Sequence, residues 1–258
     1  QTGSLQSWVY GMAERNTELD VLKGLGIILM VFNHIGWGLK VHTYIQSFHM
    51  PLFFIISGYL FKKKPIVNVI SKRARGLIIP YIIFTCVYLV IAIITPLHGK
   101  EFSILSALKT IVFFPTDNAH MPISPALWFL PCMFLTSIVY TALSKFSMEK
   151  KSLIVFAITT IGAVYSGLSD FMLPFTIEPM AAALLFMLIG EWISEKNLQD
   201  RILSKPYIIL GMLVLEAALA FINRSVDLRS GTFSYCSSVL YKRSYGYSCV
   251  VGDFKMDG

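Results

Sequence analysis

LIIPYIIFTCVYLVIAIIT, residues 77–95, contains no charged side chain. A helix of that length rises about 28 Å, close to the hydrocarbon thickness of a bilayer. In lipid the backbone has no water to bond, and a helix satisfies its own N–H and C=O groups. The stretch therefore reads as a transmembrane helix. Outward from it, six further apolar blocks lie at residues 21–39, 48–61, 126–143, 153–165, 177–193 and 207–222. The blocks at 48–61 and 153–165 fall short of the roughly 20 residues a crossing helix needs. They are expected to extend into flanking polar residues, or to be tilted or broken. Residues 102–114 are apolar on one face, interrupted by Lys109, and read as an interfacial helix.

The composition agrees. The chain is 55% hydrophobic and 14% charged, with mean hydropathy +0.64, where a soluble domain carries about 25% charged residues. Such a chain cannot clothe a water-facing surface. The expected fold is all-α, a polytopic transmembrane helical bundle of seven spans. Its loops alternate in charge. Lys62, Lys63, Lys64, Lys72, Arg73 and Arg75 follow the second block, Lys145, Lys150 and Lys151 the fourth, and Lys196, Arg201 and Lys205 the sixth. The intervening loops carry only Lys40, Lys100 and Lys109. The positive-inside rule then places the N-terminus and the basic loops in the cytosol of a cell (inner or plasma) membrane. The net charge of +7 is this topological signal, and no nucleic-acid partner is expected. Cys86, Cys132, Cys236 and Cys249 form no CxxC pair, so neither a disulfide framework nor a metal site is expected.

Both ends differ from the middle. Residues 1–15 read as an extension and cytosolic lead, with Met12 as the expected native start, and no cleavable signal precedes the first span. Residues 232–258 hold no span-length apolar run and read as an atypical tail, either a disordered exported tail or the product of truncation or frameshift.

Ionisable groups inside spans are costly and mark function by default. The first block holds Lys23, Asn33 and His34. Lys23 and His34 are eleven residues apart, which returns to the same helix face about 16 Å along the axis. Asp20 lies close to that face. A long anionic molecule entering from the cytosol fits this arrangement, its charge on Lys23 and its reactive end at His34. Alone, Lys23 reads as a snorkelling interface residue. His34 alone reads as a hydrogen-bonded neutral imidazole. Together, with His49 at the exterior edge of the next block, they favour a site. Pro51 marks a kink in the second block, and Ser57-Gly58 permits close helix approach. Ser57 serves packing or function with equal weight. Lys72, Arg73 and Arg75 can bind phosphates, or act as topological charge alone. Glu178, at an exterior edge, orients a histidine or binds a sugar hydroxyl, or is an interfacial carboxylate. Trp128 reads as an aromatic-belt residue before a sugar platform. Glu191 and Glu216 are read as packing groups, and Asp117, Asn118 and His120 show no metal spacing.

The runs ELDVLKGLGIILMVFNHIG (residues 18–36) and FHMPLFFIISGYLF (48–61) resemble the opening of the acyltransferase 3 family of membrane O-acyltransferases, most nearly its fucose 4-O-acetylase-like branch. SKRARGLIIPY (71–81), ALWFLPCMF (126–134), LPFTIEP (173–179) and VDLRSG (226–231) follow in the family's order. The resemblance covers residues 16–231, read as an incomplete transmembrane acyltransferase domain. It implies transfer of an acetyl or other short acyl group, not an aminoacyl group, to a hydroxyl of an envelope glycan, exopolysaccharide or lipid-linked sugar. It implies acetyl-CoA as the donor substrate, with no bound cofactor. His34 becomes the general base, and Lys23, Arg73 and Arg75 contact the donor. Asn33, His49, Ser57, Glu178 and Trp128 support the site or hold the acceptor. Two departures stand out. The family's R-x-x-R spacing, counted from Arg73, lands on Gly76, with Arg75 one residue early. The family has about ten spans where this chain offers seven.

The expected function is therefore a membrane O-acyltransferase whose partners are acyl-CoA, a sugar acceptor and membrane lipids. Its rivals are a glycan or precursor transporter, which consumes no acetyl-CoA, and an inactive membrane scaffold, which tolerates His34→Ala.

Overall fold

The computed structural model describes residues 17–33, 39–94, 104–113, 127–169, 173–198, 205, 207, 226–227 and 232–233. The described chain is helical: α1 (Thr17–Asn33), α2 (Leu39–Tyr59), α3 (Ile66–Arg73), a π turn (Ala74–Ile78), α4 (Ile79–Ile94), α5 (Ile104–Phe113), α6 (Phe129–Leu143), α7 (Met148–Leu168), a 3₁₀ turn (Pro174–Thr176) and α8 (Ile177–Glu195). An antiparallel pair, β1 (Val226–Asp227) with β2 (Thr232–Phe233), lies against α2 and α7.

Several helices begin earlier than the apolar blocks. α2 starts at Leu39, nine residues before the block at 48–61, and runs through Pro51. The third helix starts at Ile66 and takes Lys72, Arg73 and Arg75 into helical turns, where a loop was expected. α7 likewise takes in Lys150 and Lys151. Hydropathy reports immersion in lipid, whereas helices continue into the interface, where water can satisfy charged side chains. Among the described residues, two helices, Ile66–Ile91 and Pro174–Glu195, are long and apolar enough to cross a membrane; Phe48–Tyr59 and Phe129–Leu143 are apolar but shorter. The block at 207–222 lies outside the described residues apart from Tyr207. Half-exposed apolar side chains line α1 (Leu25, Ile27, Ile28, Val31) and α4 (Ile82, Ile83, Val87, Val90), a surface suited to lipid.

Side-chain contacts fix the helix directions. Gly26 of α1 meets Phe53 of α2, and α1 runs against α2. Phe54 on Phe129 (5.3 Å), Ser57 on Met133 (3.5 Å) and Phe61 on Tyr140 (5.1 Å) set the α2 chain and α6 parallel. α8 also runs parallel to α2, and their backbones touch. A Cβ on Gly58 would lie 1.9 Å from the Met187 carbonyl, and one on Gly190 would lie 2.0 Å from that of Ile55. α7 runs antiparallel to α8, with Lys151 beside Glu191 at one end and Ser166 beside Glu178 at the other. The core gathers Phe54, Cys132, Tyr140, Val155, Ala183, Leu184 and Met187. On α6, Thr136, Ser137 and Thr141 each donate to the carbonyl four residues back at 2.7 Å, so hydroxyls in an apolar core satisfy themselves within the helix.

Candidate functional site

Where α1, α2, α3, α6 and α8 converge at one end of the bundle, they enclose a cavity of about 420 Å³. Lys23 enters from α1, Ser57 from α2, Lys62 and Lys64 from the segment that follows, Asn68, Lys72 and Arg73 from α3, and Gly76 from the π turn. Ser137 and Thr141 of α6 and Met187 of α8 complete the apolar floor. Among the described lining residues are five cations and no carboxylate. Lys23 pairs with Asp20, one turn away on its own helix, at 3.3 Å. Clustered cations repel one another, and an anion with several negative groups relieves that repulsion. The expected pair Lys23 and Arg73 thus meets here, joined by Lys72, which the sequence also offered as a phosphate-binding cation, and by Lys62 and Lys64, which it offered only as loop charge. Ser57 also lines the cavity and gives its proton to the Met133 sulfur.

Arg75 stands elsewhere. It lines a second, open cavity of about 490 Å³ with Asn68, Ser71, Lys72 and Gly76. Asn68, Lys72 and Gly76 belong to both cavities and form the wall between them. The π turn sits in that wall, and such turns collect at functional positions.

The other expected residues gather at the opposite end. His49 and Glu178 lie nine residues before Gly58 and Met187 respectively. Along parallel helices that places both about 13 Å above this contact, at one height. Trp128 precedes Phe129, which packs on Phe53 and Phe54, and so falls in the same region. Asn33 is seven residues beyond Gly26, and His49 is four before Phe53. Their heights differ by about 4–5 Å. The layer is buried: Asn33 is 6%, His49 3%, Trp128 5% and Glu178 6% exposed.

Each of these side chains is held differently. His49 was expected at an exterior edge; because α2 begins at Leu39, it is instead buried mid-helix. Its Nδ1–H donates to the Ile45 carbonyl at 2.7 Å, since a carbonyl only accepts. Trp128 packs edge-on against Phe129 in the core, not in an interfacial belt. Glu178 accepts from the Leu173 N–H at 2.8 Å and from Ser166 Oγ at 3.4 Å. It thereby ties down the approach to α8, where Phe175 and Thr176 adopt φ of 57° and 60°. Left-handed backbone in consecutive non-glycine residues is strained, and strain of this kind collects at functional sites. Asn33 closes α1 with its Oδ1 buried and without a hydrogen-bond partner. An unmet buried acceptor costs about 1–3 kcal/mol, and a hydroxyl entering the layer relieves it. His34, the next residue, lies outside the described residues.

One cluster escaped the sequence reading. Lys151 is ion-paired with Glu191, to which Tyr140 also donates. The Lys151 ammonium lies 5.2 Å from the Tyr140 ring and 5.9 Å from that of Phe61, a residue of the cationic cavity. A carboxylate inside the sixth block and a lysine leading the fifth were the visible signal, since each needs an opposite charge if buried.

A family model described as an acyltransferase domain matches residues 16–240. The nodulation protein NolL of Mesorhizobium japonicum (strain LMG 29417 / CECT 9101 / MAFF 303099) is 26% identical over 159 residues, covering 53% of this chain and 38% of that protein. The matched stretch thus spans well under half of the relative's length. No solved structure matches significantly.

Proposed function

This chain belongs to the acyltransferase 3 family, whose domain it matches over residues 16–240, and from that premise we propose that it is a multi-pass membrane O-acyltransferase. It takes an acetyl or other short acyl group from acyl-CoA on the cytosolic side and passes it to a hydroxyl of an envelope sugar, as in the fucose 4-O-acetylase-like branch. The observation that carries this reading is the cavity lined by Lys23, Lys62, Lys64, Lys72 and Arg73 with no carboxylate among its described lining residues. A donor with several phosphates neutralises that cluster, while its thin, uncharged pantetheine arm passes up the bundle.

The distance suits the chemistry. From Lys23 to Asn33 is ten residues of α1, about 15 Å, and the buried layer of Asn33, His49, Glu178 and Trp128 lies near that height. The reactive thioester then meets the acceptor at His34. His34 removes the proton of the acceptor hydroxyl. The oxygen attacks the thioester carbonyl, the carbon–sulfur bond breaks, and the CoA sulfur leaves and regains a proton. Asn33 Oδ1 accepts from an acceptor hydroxyl, and Glu178 with His49 holds the layer's shape. The charge alternation of the loops supports seven crossings with a cytosolic N-terminus, and the directions of α1, α2, α7 and α8 are compatible with alternate crossings.

The test is transfer of labelled acetyl from acetyl-CoA into envelope glycan by membranes carrying the chain, its His34→Ala variant or its Lys23→Gln variant, at equal protein levels. The reading expects label with the parent, none with His34→Ala, and a raised donor KM with Lys23→Gln. Equal incorporation by parent and His34→Ala overturns the role of His34. Movement of glycan without consumption of acetyl-CoA would replace the enzyme with a transporter.

A further inference from the structure

The second cavity has a chemistry of its own. Its lining residues, Asn68, Ser71, Lys72, Arg75 and Gly76, are spaced to form one face of a continuous helix. All are exposed. Two are cations, two carry hydrogen-bond donors on short side chains, and no described lining residue is a carboxylate. At Gly76 a Cβ would meet nothing within 4 Å, so packing does not demand glycine there, and a bulky anion can approach the backbone. The π turn at Ala74–Ile78 carries Arg75 and Gly76 together.

The position on the helix selects the ligand. Among the described residues, the helix Ile66–Ile91 is one of two both long and apolar enough to cross a bilayer. Residues 68–76 immediately precede its uncharged stretch, at the depth where lipid headgroups sit. Val67 is exposed beside the groove, and Ile79, Ile82 and Ile83 are about half exposed on the turns beyond it. A phosphate on Lys72 and Arg75 therefore lies at the end of an apolar track fit for acyl chains. A soluble anion uses the cations but not the track.

We propose that the groove of Asn68, Ser71, Lys72, Arg75 and Gly76 binds the phosphate of an anionic glycerophospholipid from the cytosolic leaflet. The site is separate from the donor cavity, shares a wall with it, and does not depend on the acyltransferase reading. Arg75 and Lys72 hold the phosphate oxygens, Ser71 and Asn68 donate to it or to the polar headgroup, and the chains lie along Ile79, Ile82 and Ile83.

The experiment uses the full purified chain in neutral detergent, loaded with phosphatidylglycerol or with phosphatidylcholine of the same chains. Native mass spectrometry counts the lipid retained. Retention of phosphatidylglycerol over phosphatidylcholine is expected, falling about fivefold in Arg75→Gln, the weight of one cation at an anionic surface, and unchanged in Lys23→Gln, which alters only the donor cavity. Equal retention by the parent and Arg75→Gln overturns the site. An equal fall in Lys23→Gln overturns it too, because the lipid then sits in the donor cavity. Complete displacement of the lipid by millimolar inorganic phosphate overturns the lipid assignment in favour of a soluble phosphate.

Discussion

Substituting Glu191 by methionine removes the anion that faces Lys151 and keeps the side chain's length. In the parent the two side chains are 5% (Lys151) and 12% (Glu191) exposed. The ammonium left behind keeps only the faces of Tyr140 and Phe61, at 5.2 and 5.9 Å. Cation–π contacts of this kind contribute about 0.5–2 kcal/mol each. Breaking one side of a buried pair costs about 3–5 kcal/mol, so a net loss near the bottom of that range, about 3 kcal/mol, is expected. For a chain of this size each kilocalorie moves the melting midpoint by about 2–4 °C, giving a fall of about 6–12 °C. The double variant Lys151→Met/Glu191→Met replaces the pair by apolar groups of similar volume, which is often neutral, and should return to within about 1 kcal/mol of the parent. Intrinsic-fluorescence melting of the three proteins in one detergent reads all of this. The reasoning fails if Glu191→Met melts with the parent, or if the double variant melts no higher than Glu191→Met.

Gly58→Leu should abolish recovery of a monodisperse protein on size exclusion, because the added atoms fall on the Met187 backbone at 1.9 Å and backbone cannot give way. Gly76→Ala meets open space, so its stability should hold or rise by the about 0.5–1 kcal/mol that separates alanine from glycine in a helix, read as an unchanged or higher melting point; a fall would show the π turn needs glycine's backbone freedom. Lys23→Gln and Arg73→Gln should each weaken acetyl-CoA binding about tenfold or more, the loss of one hydrogen bond to a charged group. Isothermal titration should also show a shallower salt dependence for each.

Much of the architecture can be read directly in the sequence. The uncharged run at 77–95 announces a spanning helix, and Gly58 announces a close approach that the structure confirms against Met187. What hydropathy misses is where helices end. Lys72, Arg73, Arg75, Lys150 and Lys151 read as loop because they are charged, yet each continues a helix into the interface. The same error put His49 at an edge when it is the middle of α2. At the site, Lys23 and Arg73 were legible as cations of one site and both line one cavity, but their separation from Arg75 was not legible. One-dimensional spacing does not show that the turn at Ala74–Ile78 is a π turn, and that turn decides which way each cation points. The Lys151–Glu191 pair was invisible for a different reason: the two residues are forty positions apart, and only packing of α7 against α8 brings them together.

Lys72 belongs to the wall of both cavities, and one ammonium has only three protons to offer. An anion that settles on one side withdraws it from the other. By linkage the penalty is the same whichever arrives first. If the two proposed ligands bind as argued, a leaflet crowded with negative headgroups acts as a brake on uptake of the donor, and a leaflet depleted of them releases it. On the proposed function, the rate of acyl transfer becomes tied to the charge of the surrounding membrane, with a single shared side chain as the point of competition.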